Sequence, residues 1–487
     1  MIKEKTSTPQ SEIELTPGQQ HAFDLFKQFV ESDKKVFILK GYAGTGKTTL
    51  VNTLVKELRE RNETFRLLAS TGRAAKVMRD KTGRVASTIH SAIYTFSDLN
   101  QDLDELFKEE KEPPRMDNTG QLLLNFVFEE IKDPDYTRCF YIVDEASMIG
   151  DKEDKNPTQA LFGSGKLLHD LLRYDPKGKY IFVGDNCQLP PVGEAVSPAL
   201  SKEYIQSVFN IECMDAELNQ IVRQASGNDI VRAAQKIRNL YNDPPHNPFS
   251  VWYKFPLRGH QDVKICTSQA ELLERYIDDI KAHGYEYATM ICMSNRTSIK
   301  LSKLIRPSLG MLSTTICVND LLLVTQNNLL SGLMNGDLVR VTQVKGSRQR
   351  AGLTFQIVEM EEIVTKQRVS QLIITDIVYS DGINLTQQQQ KQLYLDYFFR
   401  MKEQGIKQKS AAFKDGMYKD PYLNALRATF GYVITCHKSQ GGEWKKVYLD
   451  IPKILARETG RAEYQWLYTA ITRATDKLFI AEDFFLK

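Results

Sequence analysis

Short apolar runs alternate with longer amphipathic stretches along much of this chain. The apolar runs lie at residues 36–39, 65–70, 140–143, 180–183 and 288–293, and each has the length of a buried strand. The stretch after the first run, residues 50–59, instead carries its apolar residues at helical spacing. Strands that alternate with helices in this way are typical of an α/β protein.

A glycine-rich loop, residues 41–49, lies between the first apolar run and that helix. Strand, glycine loop and helix in this order form the context of a phosphate-binding P-loop. Glycines let the backbone turn sharply and point N–H groups at phosphate oxygens, and the helix adds the positive end of its dipole. Lys47 is predicted to contact the β- and γ-phosphates, and Thr48 to ligate Mg²⁺. The predicted nucleotide-binding residues of the loop are Gly44, Thr45, Gly46, Lys47, Thr48 and Thr49.

A helix is predicted to begin at Pro17, where the Thr16 side chain can cap it. Gln19 lies in its first turn, not far ahead of the glycine loop. An amide offers both a donor and an acceptor, so Gln19 is predicted to hydrogen-bond the edge of an adenine. The alternative is an ordinary surface amide. Residues 1–14, before this helix, are predicted to form a disordered lead.

The apolar run at 140–143 ends in two adjacent acids, Asp144 and Glu145. In a P-loop ATPase such a strand supplies the second half of the site. Asp144 is predicted to hold Mg²⁺ through its water shell, and Glu145 to orient and deprotonate the attacking water. Two acids at a strand end are otherwise most often solvated surface, and the upstream glycine loop favours the functional interpretation.

The run at 180–183 leads into a turn, residues 184–192, that contains Gln188 and two adjacent prolines. Gln188 is predicted to sense the γ-phosphate, and the stiffened turn to transmit that state to a neighbouring surface. The alternative is a proline-rich loop with no such role.

Two other strand ends carry small hydroxyl-bearing residues. Thr71 and Thr88, together with His90, are predicted to contact the phosphates of a nucleic-acid backbone. Simple capping of two helices by Thr71 and Ser87 explains the same residues equally well.

Composition bounds the remaining possibilities. The 487 residues are enough for three or four compact units, and 42% apolar with 26% charged residues is typical of a globular chain. The net charge of +3 does not indicate nucleic-acid binding by itself, so any such groove must be built from local Lys and Arg. The seven cysteines form no CxxC pair, which favours reduced thiols. No secretory signal or membrane-spanning run is recognisable, so a cytoplasmic location is expected.

Residues 331–425 change in character. Residues 335–337 indicate a turn, and residues 338–341, 353–358 and 372–378 have the pattern of short strands, which predicts a small β-barrel. A charged helix is predicted to follow at 386–404.

Six segments, in order, resemble the motifs of superfamily-one DNA helicases of the RecD, Dda and Pif-type branch. The segments are 41–49, 144–148, 184–191, 217–224, 432–443 and 467–474. Jointly they are far more specific than any one motif. The resemblance implies an α/β architecture of two RecA-like P-loop domains, with a β-hairpin pin insertion in the first and a small β-barrel insertion in the second.

The resemblance also implies the roles of further residues. Arg223 and Arg473 become arginine fingers that neutralise charge on the transferring phosphoryl group, whereas a surface salt bridge is the alternative for each. The residues expected to contact nucleotide are Gly441 and Glu443, and those expected to contact DNA are Thr435, His437 and Lys438.

Domain limits follow from the same resemblance. The expected bounds are 15–95 and 137–204 for the first RecA-like domain, 96–136 for the pin insertion, 205–330 and 426–487 for the second RecA-like domain, and 331–425 for the β-barrel insertion. Residues 92–96 and 122–128 are predicted to pair as strands of the pin insertion. Phe96 is the candidate wedge against the first base pair, and Phe126 and Phe128 are predicted to be core.

The implied activity is that of an ATP-dependent, Mg²⁺-requiring DNA helicase. It is expected to translocate 5′→3′ on single-stranded DNA and to act at junctions of single and double strands, as a monomer, in repair, replication or recombination. Two alternatives stay open. One is an RNA-directed motor, although nothing in the sequence indicates recognition of a 2′-hydroxyl. The other is a RecD-like motor subunit of a larger nuclease or repair assembly.

Overall fold

The structure is a computed structural model that describes residues 14–99, 126–131, 138–153, 160–222, 229–245, 254–328, 330–408, 410–457 and 460–487. Its strands are β1 (Val36–Gly41), β2 (Phe65–Ala69), β3 (Ala86–Thr88), β4 (Tyr94–Leu99), β5 (Phe126–Glu130), β6 (Phe140–Asp144), β7 (Ala160–Phe162), β8 (Lys179–Gly184), β9 (Cys213–Leu218), β10 (Val263–Cys266), β11 (Ala288–Cys292), β12 (Leu321–Val324), β13 (Leu338–Arg350), β14 (Leu353–Glu362), β15 (Arg368–Ile374), β16 (Ala428–Phe430), β17 (Val433–Thr435), β18 (Trp444–Leu449) and β19 (Ala474–Ala481).

The α-helices in the same ranges are α1 (Pro17–Glu31), α2 (Lys47–Glu60), α3 (Gly72–Thr82), α4 (Ile89–Ile93), α5 (Leu167–Tyr174), α6 (Lys202–Phe209), α7 (Asp229–Asn242), α8 (Gln269–His283), α9 (Asn295–Ser308), α10 (Thr375–Tyr379), α11 (Gln387–Glu403), α12 (Ala411–Lys419), α13 (Cys436–Ser439) and α14 (Arg461–Ile471). None of them combines the length and the apolar character needed to cross a membrane. The predicted disordered lead lies almost entirely outside the described residues.

A six-stranded parallel sheet holds the glycine loop, in the order β3–β2–β6–β8–β1–β9. Its central strands are apolar without alternation because helices cover both faces. On one face Phe37 and Leu39 pack with α1 and α2, and on the other Val36 and Ile38 pack with α4 and α5. Strand β8 lies between the strand before the glycine loop and the strand that ends in Asp144. All carboxyl ends therefore meet at one edge of the sheet.

The first sheet extends beyond its predicted limit at residue 204. Strand β9 pairs in parallel with β1, from Val36 opposite Cys213 to Gly41 opposite Leu218. The prediction that the second domain begins at residue 205 is therefore wrong for this strand. Asp215 and Glu217 interrupt the apolar pattern because β9 is an edge strand, with Glu217 exposed.

A second parallel sheet has the order β10–β19–β18–β11–β17. The predicted strand at 288–293 is its buried member β11, and its core includes Met290, Val447, Leu478 and Leu467. The chain is therefore an α/β protein with two parallel sheets, as the sequence predicted.

A third, antiparallel sheet has the order β15–β14–β13–β12–β16. Strands β12 and β16 lie outside the predicted bounds of 331–425, so those bounds are too narrow. A bridge between Ile373 and Leu426 brings the end of β15 beside the residues that precede β16. A closed barrel stays a prediction. The charged helix predicted at 386–404 is α11, which Thr386 caps.

A small sheet, β4–β5–β7, takes its first two strands largely from the predicted pin insertion of 96–136 and its third from residues 160–162 of the predicted first domain. Strand β4 pairs antiparallel with β5, from Tyr94 opposite Glu130 to Leu99 opposite Phe126. Pairing of the two predicted strands is therefore confirmed, with limits that differ from 92–96 and 122–128. Strand β7 adds a parallel third member that the sequence did not predict. Residues 100–125 and the side chains of Phe96, Phe126 and Phe128 lie outside the description, so the wedge and core predictions stay open.

A buried ion pair joins the second sheet to the third. The Arg306 guanidinium on α9 donates from Nε and Nη2 to the two carboxylate oxygens of Asp320, at 2.7 and 2.9 Å. The Tyr432 hydroxyl donates to the same carboxylate, at 2.7 Å. Asp320 is fully buried and Arg306 is 7% exposed. Burial lowers the pKa of the Arg306 guanidinium, but its hydrogen bonds to Asp320 and the charge of that carboxylate raise it further, so the net shift is upward and the guanidinium stays charged.

Asp320→Ala is expected to lower the free energy of unfolding by about 3–5 kcal/mol, because it leaves a buried guanidinium without its partner. Urea denaturation followed by circular dichroism measures the change. The matched control is Asp381→Ala, which removes the exposed partner of Lys303 and should leave the unfolding midpoint nearly unchanged. Equal small effects of the two substitutions would contradict a buried pair.

Candidate functional site: a nucleotide site at the contact of two sheets

The glycine loop turns between β1 and α2 through two left-handed residues. Gly44 and Gly46 have φ of +83° and +78°, which a side chain would strain. A Cβ on Gly46 would also lie 2.4 Å from the amide nitrogen of Gln19. The Thr45 hydroxyl donates to the Tyr42 carbonyl at 2.8 Å, which closes the turn. The N-cap of α2 is Gly46, and no described side chain caps the helix, so the N–H groups of its first turn are available to an anion such as a phosphate.

Lys47 folds back onto the loop that it follows. Its ammonium donates to the carbonyl oxygens of Gly41 at 2.6 Å and Tyr42 at 3.2 Å. These two carbonyls hold the charge at the mouth of the loop, where the oxygens of a bound phosphate would compete for it. The position fits the predicted phosphate contact.

Gln19 lies beneath the loop and is 3% exposed. Its amide nitrogen donates to the Thr45 carbonyl at 3.1 Å, and its amide oxygen accepts from the Thr16 N–H at 3.0 Å. Both ends of the amide are thus bonded to protein, and the side chain supports the loop from α1. Contact with an adenine would require exchange of these bonds and stays a prediction.

The two predicted catalytic acids lie together at the end of β6. Glu145 has φ of +52°, an uncommon conformation for a residue with a side chain. Its N–H donates to the Asp144 carboxylate at 2.9 Å. Burial raises the pKa of both carboxyls, and the nearby Lys47 ammonium opposes that effect for both. Arg473 opposes it for Glu145 alone. A carboxylate whose pKa is raised in this way suits a general base.

The loop after β8, residues 185–189, forms a contact between the two parallel sheets. The Leu189 N–H donates to the Thr469 hydroxyl at 2.9 Å, and the Gln440 amide donates to the Leu189 carbonyl at 3.3 Å. The Gln465 amide donates to two further carbonyls of the loop, at 3.2 Å each. Cys187 and Leu189 are part of the apolar core of the second sheet. The turn therefore reaches the neighbouring surface that the sequence predicted it to contact.

Gln188 is 5% exposed in this loop. Its side-chain oxygen is buried and accepts no hydrogen bond from the described residues. Buried polar atoms nearly always have a partner, so this atom is suited to bind a donor that the chain itself does not supply. Contact with a γ-phosphate stays a prediction.

Of the two predicted arginine fingers, Arg473 lies among the described residues. Arg473 is 5% exposed; its guanidinium donates to the carbonyl oxygens of Thr469 at 3.1 Å and Gly442 at 3.3 Å. Its own domain therefore holds it, within electrostatic reach of Glu145. Arg223 lies outside the described residues. The Val222 N–H just before it donates to the Gly44 carbonyl at 2.8 Å, so this segment reaches the glycine loop from β9 of the first sheet.

Gly441 and Gly442 pack against the first turn of α3. A Cβ on Gly441 would lie 3.1 Å from the Cβ of Ala74, and one on Gly442 would lie 2.7 Å from Cζ of Arg73. Glu443 is exposed. The structure thus places Gly441 against the first domain, with no described contact to the glycine loop, and its predicted nucleotide contact stays open.

The hydroxyl-bearing residues predicted to contact DNA are helix caps. Thr71 accepts from the Ala74 N–H at 3.2 Å, Thr88 from the Ser91 N–H at 3.2 Å, and Thr435 from the Lys438 N–H at 3.4 Å. The capping alternative holds for Thr71, whereas Thr88 rather than Ser87 caps α4. Capping does not contradict contact of these helix N-termini with DNA phosphates, and that contact stays a prediction.

His90 does not carry the charge that a phosphate contact would use. Its ring packs at 4.9 Å from the ring of Phe162 and 5.8 Å from that of Tyr94. Burial lowers the pKa of His90 to about 4, so the ring is neutral at pH 7. His437 is also largely buried, and burial lowers its pKa too. Burial thus opposes an ionic contact of His90 with a phosphate, and the predicted DNA contact of His90 stays a prediction.

Lys438, unlike these two histidines, is still mostly charged at pH 7. Burial lowers the pKa of its ammonium to about 8, and within the described ranges no carboxylate or carbonyl accepts a hydrogen bond from it. A desolvated, unpaired ammonium at the carboxyl edge of a parallel sheet fits an anionic ligand.

Sequence reasoning missed a cross-domain contact beside Thr71. The Lys76 ammonium lies 2.7 Å from the Asp337 carboxylate and 3.7 Å from that of Glu362, and both acids are about 2% exposed or less. The Arg73 guanidinium stacks on Trp444 at 4.2 Å. The only signal in the sequence was the pair of basic residues in the turn at 71–76. Their partners are more than 250 residues away along the chain.

The fold and the site define a P-loop ATPase in which a second α/β domain of the same chain contacts the nucleotide loop. Residues 14–243 match a family model described as an AAA domain, and residues 430–481 match the UvrD-like helicase C-terminal domain. The chain is 24% identical to the ATP-dependent DNA helicase dda of Enterobacteria phage T4, covering 96% of this chain and 99% of that protein. These matches support a superfamily-one helicase of the RecD and Dda type.

Two further proteins are similar to this chain. The ATP-dependent RecD2 DNA helicase of Deinococcus radiodurans is 28% identical over 43% of this chain and 22% of that protein. The crystal structure of the Pif1 helicase from Bacteroides in complex with ADP-AlF3 and ssDNA covers 97% of this chain and 93% of that chain. Its sequence identity is 17% and its TM-score is 0.47.

The residues present fit a nucleotide with its magnesium. No three His, Cys, Asp or Glu side chains cluster as a metal site in the part of the chain that the structure describes. A P-loop magnesium requires no such cluster, because phosphate oxygens and waters supply most of its ligands. Thr48 and Asp144 are the side chains that would complete its shell.

The first prediction on the site separates binding from turnover. Glu145→Gln is expected to bind ATP normally and to lose about 10²–10⁴-fold in turnover, because an amide cannot accept the proton of water. Lys47→Ala is expected to weaken ATP binding itself. Fluorescent-nucleotide titration and phosphate release measure the two effects, with Glu60→Gln at the far, exposed end of α2 as the control. Near-normal DNA-stimulated turnover in Glu145→Gln would contradict the assignment.

The second prediction uses the lowered pKa of Lys438. Below pH 8 its ammonium is charged and is expected to bind a phosphate of the DNA, and above pH 8 it becomes neutral. The affinity for a single-stranded oligonucleotide is therefore expected to fall between pH 7 and 9, by up to about tenfold. Lys438→Arg keeps its charge throughout and should show a flatter profile in fluorescence anisotropy at fixed ionic strength. Parallel profiles would show that Lys438 does not contact the DNA.

Proposed function

We propose that this protein is an ATP-dependent DNA helicase that translocates 5′→3′ on single-stranded DNA and unwinds the duplex it meets. Similarity to DNA helicases over nearly the whole chain supports the motor activity. The observation that carries the catalytic part is the loop after β8, which leaves the first sheet between the glycine loop and the two acids and bonds to Thr469 and Gln465 of the second domain. Both domains therefore meet at the edge of the sheet that carries the two acids, as an ATPase driven by domain closure requires.

The chemistry follows from the positions of these groups. Lys47 and the N–H groups at the start of α2 would bind the phosphates, and Thr48 with Asp144 would hold Mg²⁺. Glu145 would accept the proton of the attacking water. Arg473, together with Arg223, would neutralise the charge that develops on the γ-phosphoryl group. Gln188 contacts that group through the loop that also touches α14.

The DNA path follows the carboxyl edges of the two parallel sheets. Thr435 and Lys438 of the second domain and the capped N-terminus of α3 in the first offer N–H groups and one ammonium to phosphates. Contacts of this kind tolerate any sequence and weaken steeply as salt rises. Alternate closure and opening of the ATP cleft would move one set of contacts relative to the other.

The direction of movement rests on the branch to which the motifs belong. The segments at 184–191 and 432–443 resemble those of RecD and Dda, and a β-rich insertion precedes the second of them. Members of that branch move 5′→3′. The role of the small sheet β4–β5–β7 as a separating pin is part of the same proposal.

Two other functions make different predictions. An RNA-directed motor would show ATP hydrolysis stimulated by RNA at least as strongly as by DNA. A motor subunit of a larger assembly would be inert alone and would elute with its partners in size-exclusion chromatography of the native complex. We favour the DNA helicase because the phage T4 protein that the chain matches over 99% of that protein's length is named a DNA helicase, and because nothing in the sequence indicates recognition of a 2′-hydroxyl.

Strand displacement on tailed duplexes tests the proposal. With ATP and Mg²⁺, a duplex with a 5′ single-stranded tail is expected to be unwound and one with a 3′ tail to remain largely paired. Glu145→Gln is the matched control, since it should bind the same substrate without opening it. Preferential opening of the 3′-tailed duplex would overturn the direction and leave the ATPase assignment standing.

A further inference from the structure

The Tyr468 hydroxyl connects helix α14 of the second domain to two parts of the nucleotide site. It accepts a hydrogen bond from the N–H of Ala43 in the glycine loop at 2.9 Å. It donates to the Asp185 carboxylate at the end of β8, at 2.8 Å. Tyr468 is 2% exposed and Asp185 is fully buried. These bonds join two segments of the first domain to one side chain of the second.

We propose that Tyr468 is a positioning residue of the ATPase reaction, which fixes helix α14 against the glycine loop and thereby sets the position of Arg473. The inference rests on the proposed function, because it assigns a role within that reaction. Tyr468 does not touch the reacting atoms itself.

The geometry of α14 supports a single docking face. Gln465, Tyr468 and Thr469 are spaced as neighbours on one side of a helix, and all three bond to the glycine loop or to the loop after β8. The Thr469 carbonyl also accepts a bond from Nε of Arg473. The turn that docks on the first domain is therefore the turn that holds the expected finger.

A hydroxyl is required at this position because it must accept and donate at once. The Ala43 N–H needs an acceptor, whereas the Asp185 carboxylate oxygen accepts the hydrogen bond that the hydroxyl donates. The other oxygen of Asp185 already accepts from the Cys187 N–H at 3.0 Å. Phenylalanine would fill the same volume and leave a buried donor and a buried carboxylate oxygen without this partner.

The test is Tyr468→Phe in the full chain. The kcat of DNA-stimulated ATP hydrolysis is expected to fall roughly tenfold or more, with a smaller change in KM for ATP, because the loss acts on the position of Arg473. Tyr276→Phe is the matched control. Tyr276 is a buried tyrosine whose hydroxyl donates to the Tyr432 carbonyl within the second domain, and its loss should keep kcat near the wild-type value.

A double-mutant cycle tests the route through Arg473. Arg473→Ala combined with Tyr468→Phe is expected to be no slower than Arg473→Ala alone, since the tyrosine acts through the arginine. Additive losses, a wild-type kcat in Tyr468→Phe, or a wild-type rate in Arg473→Ala would each overturn the inference. A wild-type protein without ATP hydrolysis would overturn the proposed function as well. If Tyr468→Phe does not fold, Thr469→Val removes the adjacent cross-domain bond and replaces it in the cycle.

Discussion

The contact between the loop after β8 and helix α14 is the interaction on which the nucleotide site depends. Strand β8 lies between the strand of the glycine loop and the strand of the two acids, so its loop leaves the sheet between the two halves of the site. Cys187 and Leu189 are packed in the core of the second domain. Together with the bond between Ala43 and Tyr468, this contact holds α14, and with it Arg473, beside the nucleotide site.

The sequence predicted the elements whose pattern is decided locally. Strands covered on both faces are continuous apolar runs, and the glycine loop and the Asp144–Glu145 pair are recognised from adjacent residues. Strand β9 was assigned to the wrong domain because an edge strand bears acids on its open side. The apolar run of β12 has the same pattern in a parallel or an antiparallel sheet. Its partners β13 and β16 could be found only from the fold.

At the site, the sequence indicated the chemistry but not the contacts. The amide of Gln19 has the expected groups, yet both bond to protein. His90 packs against Phe162, which is distant in sequence, and burial lowers the pKa of its ring. The acids that face Lys76 come from the third sheet. Each of these outcomes depends on a tertiary contact, which no local pattern contains.

The loop after β8 is anchored in the second domain, whereas strand β8 itself is part of the first sheet. Its strand is fixed in the first sheet and its tip in the second core, so a change in the distance between the domains must bend the chain at Gly184 to Asn186. There is little free space at this joint, because a Cβ on Gly184 would lie 2.8 Å from Leu200 and 3.1 Å from the Ser147 nitrogen. Ser147 follows Glu145 by two residues. Steric contact alone would therefore transmit a displacement of the second domain to the carboxylate that is expected to activate water.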